Sequence, residues 1–76
     1  MGRLRRLSGR DVRAILERHG FVLVRQKGSH MILQFRKLEG GTITVPVPDH
    51  RELKTGTLLG IIEQSMLPRA LFEASE

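Results

Sequence analysis

The densest chemistry in the chain lies at Arg25-Gln26-Lys27-Gly28-Ser29-His30, which sets two cations, a glycine, a hydroxyl and an imidazole at one tight turn. Lys27 and Arg25 suit phosphate oxygens, as a point charge and a bidentate fork. Gly28 lets the backbone come close to a ligand. His30 supplies an imidazole, the side-chain type suited to taking or giving a proton under working conditions. RNA is a target for such a set. Its 2′-hydroxyl attacks the adjacent phosphate once deprotonated, which requires a base, an acid and positive charge, and no metal.

Pro48-Asp49-His50-Arg51 forms a second polar cluster, followed by Lys54, Gly56 and Thr57. These last stand where a helix should begin and leave free N–H groups that attract anions. His50 fits either a phosphate contact or the partner acid, and plain turn and capping chemistry explains the segment equally well. His19 reads as structural or capping. The acidic residues are scattered, against the clustered carboxylates of a two-metal nuclease. Three histidines without close spacing argue against zinc, and the absence of cysteine removes disulfides and thiolate chemistry. No metal and no cofactor is expected.

Charge supports a polyanionic partner. Residues 1–54 hold twelve of the thirteen Lys and Arg against five acidic residues, a net +7, whereas residues 55–76 carry −2. Such a basic body favours nucleic acid or an acidic protein. With no Trp or Tyr, and with Phe21, Phe35 and Phe72 all reading as core, recognition should lean on phosphate and shape.

The elements that position these groups follow from periodicity. The 76 residues are expected to form a single domain, residues 1–6 being a short basic and mobile lead-in. Ser8 and Asp11 form a capping box, flanked by Leu7 and Val12 as a hydrophobic staple. Val12, Ile15, Leu16 and His19 share one helix face, and Gly20 ends it. Three strands follow, over residues 21–27, 30–37 and 42–47. Met31, Leu33 and Phe35 face one way, and His30, Gln34 and Arg36 the other, with Ile32 an apolar exception on that second face. Pro46 and Pro48 confine the third strand to a sheet edge. A second helix is expected from about Thr55, with Leu58, Leu59, Ile61, Ile62 and Met66 as a broad apolar face and Pro68 as its stop; Pro68 to Ala74 adds one last turn. The result is an α+β, two-layer α-β-β-β-α domain, with both helices on one face of a three-stranded antiparallel sheet and the other face open and polar. With no apolar run of about 20 residues and no signal-like segment, the chain is expected to be cytoplasmic and to meet no membrane.

Taken together, Leu7-Ser8-Gly9-Arg10-Asp11-Val12, His19-Gly20-Phe21, Arg25-Gln26-Lys27-Gly28-Ser29-His30, Pro46-Val47-Pro48-Asp49-His50 and Leu53-Lys54-Thr55-Gly56-Thr57-Leu58 resemble the HicA (YcfA-like) toxins, over about residues 7–67. The resemblance implies a double-stranded-RNA-binding-like fold and an mRNA interferase: an endoribonuclease that halts translation and is neutralised by a HicB-like antitoxin. It assigns the essential histidine to His30. Arg25, Lys27, Gly28, Ser29, His50 and Lys54 are then the candidate RNA and phosphate contacts. The expected partners are mRNA and the antitoxin; a weak homo-oligomer is also allowed. Two other functions remain open at this point: a non-catalytic RNA-binding module of the same fold, and a protein-interaction domain that offers Ile32 and a free sheet edge to an acidic partner.

Overall fold

The computed structural model describes residues 2–74. Helix α1 spans Gly9–Arg18, strands β1, β2 and β3 span Val22–Lys27, His30–Arg36 and Thr42–Pro48, and helix α2 spans Thr55–Ser65. A short 3-10 helix at Arg69–Phe72 follows. The strands form an antiparallel sheet in the order β1-β2-β3, which is the expected α+β architecture. Among the described residues, no helix is long and apolar enough to cross a membrane.

Local signals account for the boundaries of α1. Ser8 accepts from the Asp11 amide and Asp11 accepts from the Ser8 amide, both at 3.0 Å, which closes the capping box. Leu7 and Val12, either side of it, are both buried. At the other end Gly20 takes φ +95°. Its N–H donates to the Glu17 carbonyl, and the Phe21 N–H reaches back to Leu16 at 3.0 Å. This pair of bonds satisfies carbonyls that the helix end leaves free.

The core lies between the helices and one sheet face. Val12, Ile15 and Leu16 of α1 and Leu58, Ile61 and Ile62 of α2 close over Met31, Leu33, Val45 and Val47. Helix α1 touches all three strands, and α2 lies against β3. With its two prolines β3 occupies the edge, as its missing N–H groups demand.

Two expectations about α2 are corrected. Leu59 and Met66, expected on its apolar face, are 40% and 72% exposed. Helix α2 stops at Ser65, ahead of Pro68, because Met66 turns left-handed at φ 62°. The buried Ser65 hydroxyl donates to the Ile62 carbonyl at 2.8 Å and accepts from the Leu67 amide, which seals that end. The basic lead-in pairs, at residues 3–5, with the opposite end of the chain. Arg5 donates to Phe72, Ala74 donates to Arg3, and Leu4 pairs with Glu73 while packing on the core.

Candidate active site

The β1–β2 hairpin closes on the pair Lys27–His30, with Gly28 and Ser29 as its two loop residues. Gly28 holds φ +60° while Ser29 stays at negative φ. This is the pattern of a type II′ turn, whose twist matches the strands it joins. Gln26 braces the turn by donating its side-chain amide to the Gly28 carbonyl at 3.2 Å.

A bulge decides which way the cations face. In a regular strand Arg25 and Lys27 would share a side with Leu23, two and four residues back, and so point at the core. The pairing runs Leu23 with Leu33, then Arg25 with Ile32, leaving Val24 as the extra residue. Two residues then oppose one, the alternation reverses, and everything beyond changes face. Arg25 and Lys27 thereby join His30 on the face away from the core, both exposed.

The second cluster is brought to the same end by backbone contacts. The Asp49 N–H donates to the Ser29 carbonyl at 2.7 Å, and the Gly9 N–H to the His50 carbonyl at 2.8 Å. The Arg10 guanidinium meets the Asp49 carboxylate, Nε to Oδ1 at 3.3 Å. Gly9 is required for this approach: a Cβ there would lie 1.9 Å from the Pro48 carbonyl oxygen. The segment from Asp49 to Leu53 is thus pinned between the hairpin turn and the start of α1. His50 is exposed on it, and Lys54 is exposed as the N-cap residue of α2, its side chain making no capping bond.

His30 lines an open groove of about 380 Å³. Pro46 and Pro48 form one side with it, as its neighbours across β3. The other side is α2, through Gly56, Thr57 and Gly60, with Glu63 and Gln64 at the far end. The outer sheet face is therefore not wholly open: α2 walls it along the β3 edge. Arg25 and Lys27 lie across the sheet from this groove, while His50 and Lys54 lie outside its lining. Among the described residues, no hydrogen bond or ion pair restrains the His30 ring.

Glu63 and Gln64 did not emerge from the sequence reading. The signal was present, since Gly56, Gly60 and Gln64 recur every fourth residue and share one helix face. Ile32 departs from expectation as well. It is only 7% exposed, because Pro46 and Arg25 flank it across the sheet, so it offers no anchor to a partner. The exposed apolar residues near that face are Val22 and Val24.

A second cavity, of about 420 Å³, lies at the opposite end of the molecule among Phe21, Phe35, Ile43 and Met66. It is mostly apolar and contains none of the phosphate-binding candidates. Among the described residues, no three His, Asp or Glu side chains converge as metal ligands.

A family model described as "HicA toxin of bacterial toxin-antitoxin" matches residues 9–67 of the chain. No curated protein matches it. The matched stretch begins at the first residue of α1, runs through the hairpin and the groove, and ends just past α2.

Proposed function

The chain belongs to the HicA toxin family of bacterial toxin–antitoxin systems, and on that premise we propose that it is a metal-independent endoribonuclease in which His30 moves the proton. Membership makes it the toxin of such a pair, with a HicB-type antitoxin as its counterpart. The observation that carries the nuclease reading is the placement of His30: exposed, at a groove, on the same sheet face as Arg25 and Lys27.

In this reaction the ribose 2′-oxygen attacks the neighbouring phosphorus. Its proton passes to a base, the bond from phosphorus to the 5′-oxygen breaks, and that oxygen takes up a proton. The products are a 2′,3′-cyclic phosphate and a 5′-hydroxyl end. His30 serves at one of the two proton transfers, a role generally worth about 10²–10⁴-fold in rate. Lys27 and Arg25 hold phosphate oxygens, and the exposed Ser29, Gly28, His50 and Lys54 extend the phosphate-binding rim along the same end. A positive surface also draws RNA in before any specific contact forms.

The test is cleavage of an unstructured RNA by purified protein with EDTA present. Wild type is expected to cut and His30→Ala to fall by at least 100-fold while keeping its circular dichroism spectrum. Cleavage lost to EDTA, or retained by the variant, would overturn the proposal.

A further inference from the structure

We propose that the groove between His30 and α2 seats one unpaired nucleotide of the RNA, its phosphate toward the start of α2 and its base toward Glu63 and Gln64. The choice of RNA as ligand rests on the nuclease reading; the geometry of the seat does not.

The glycines of α2 make the first argument. Glycine inside a helix costs about 1 kcal/mol relative to alanine, so a buried neighbour usually explains it. None does here: a Cβ on Gly56 or Gly60 would meet nothing within 4 Å. Packing does not require these positions to be bare, and both line the groove. Their lack of side chains keeps it about 380 Å³ in volume, within the range of small-ligand sites.

The polarity of the groove makes the second. The first turn of α2, whose N–H groups receive no side-chain cap from its N-cap residue, lies at one end, with Lys54 just outside the lining. The Glu63 carboxylate, in no ion pair among the described residues, lies at the other. A phosphate is drawn to the first end and repelled from the second, which fixes the direction of the nucleotide. The rings of Pro46 and Pro48 give the base an apolar surface to lie on.

Base preference follows from the far end. A carboxylate only accepts hydrogen bonds, and the Gln64 amide both gives and accepts. Bases with amino donors suit them; guanine, whose two adjacent donors match the two carboxylate oxygens, suits them best, and uracil least. A base buried in this groove cannot also be paired, so the substrate is single-stranded or locally opened RNA.

The test follows backbone amide signals by NMR as guanosine 3′-monophosphate, uridine 3′-monophosphate or inorganic phosphate is added to the full chain. The guanosine nucleotide should move the Gly56, Gly60 and Gln64 signals at a several-fold lower concentration than the uridine one, and phosphate should move only those near Lys54. Gly60→Leu, which fills the groove without touching the core, should weaken nucleotide binding at least tenfold with the spectrum of a folded protein retained. Responses mapping instead to Val22 and Thr42, equal responses to all three probes, or normal binding by Gly60→Leu would overturn the seat. Sequencing of cut ends supplies a second readout, in which Glu63→Gln and Gln64→Ala flatten the base preference. If wild type binds nucleotide in the groove but cuts no RNA, the nuclease reading fails and the seat stands. If Gly60→Leu cuts like wild type, the seat fails and the nuclease reading stands.

Discussion

Lys27 stands directly opposite His30 on the closing pair of the β1–β2 hairpin, a position that sets two Cβ atoms about 4.5–5.5 Å apart on one sheet face. Arg25, paired with Ile32, is the diagonal neighbour of the same imidazole. Each cation that neutralises a phosphate releases counterions, so its removal alters the salt dependence of binding as well as its strength. For single-stranded RNA the slope of log affinity against log salt should fall by about 0.7 for each of Arg25→Ala and Lys27→Ala, and by about 1.4 for the double variant. Filter binding of a His30→Ala background across a salt series measures it. An unchanged slope would mean that RNA does not cross this face.

Two glycines on the site should respond with opposite signs. Gly9→Ala places a Cβ 1.9 Å from the Pro48 carbonyl oxygen. That contact is backbone to backbone and must force α1 away from β3, at a cost of about 1–3 kcal/mol. Gly60→Ala meets nothing and replaces a poor helix former by the best, a gain of about 0.5–1 kcal/mol. Urea titration of both variants distinguishes the two effects, with the midpoint lower for the first and higher for the second.

The fold was legible because its signals are local and redundant. Ser8, Asp11, Gly20 and the flanking Leu7, Val12 and Phe21 specify α1 within a few residues of each end, and the spacing of Pro46 and Pro48 placed β3 at an edge. The candidate site was legible only in part. His30 could be placed on the outer face by alternation from Met31, but alternation sends Arg25 and Lys27 inward with Leu23. The Val24 bulge that corrects them depends on strand pairing, which no window of sequence contains. The groove was hidden for a similar reason. Its sides come from β3 and α2, so Glu63 and Gln64 meet His30 only through the docking of α2 on the sheet edge. The pairing of residues 3–5 with residues 72–74 is likewise a contact between distant ends, which composition could only represent as a basic tail.

The Asp11 carboxyl should give the stability an acid dependence of known direction. Its hydrogen bonds with the Ser8 backbone and side chain, and more weakly the Arg5 charge, hold its pKa below the ordinary carboxylate range. A carboxyl depressed by folding stabilises the native state fully above its unfolded pKa, about 3.9, and loses that contribution as pH falls through the folded value. Asp11→Asn should therefore lose less urea midpoint than wild type on acidification through that window, and differ most from it near neutral pH. Ser8→Ala removes the acceptor for the Asp11 amide and should cost about 1 kcal/mol at neutral pH.

The tail beyond the family match should prove essential to the fold. The match ends at residue 67, yet Phe72 is fully buried and belongs to the main core. The 3-10 helix that carries it packs on α1, and its backbone holds Arg5 through a 2.9 Å hydrogen bond. Truncating a buried phenylalanine to alanine costs about 3–5 kcal/mol, whereas a chain of this length has a total stability of roughly 4–11 kcal/mol at 0.05–0.15 kcal/mol per residue. Phe72→Ala should consequently leave the protein partly unfolded at 37 °C, and ending the chain at Leu67 should do so more completely. Phe72→Leu, which keeps most of the buried volume, should retain the fold and the RNA affinity. Thermal melts of the three variants decide the matter: melting temperatures equal to wild type for Phe72→Ala would show that the core is complete without the tail, and that residues 69–72 only rest on it.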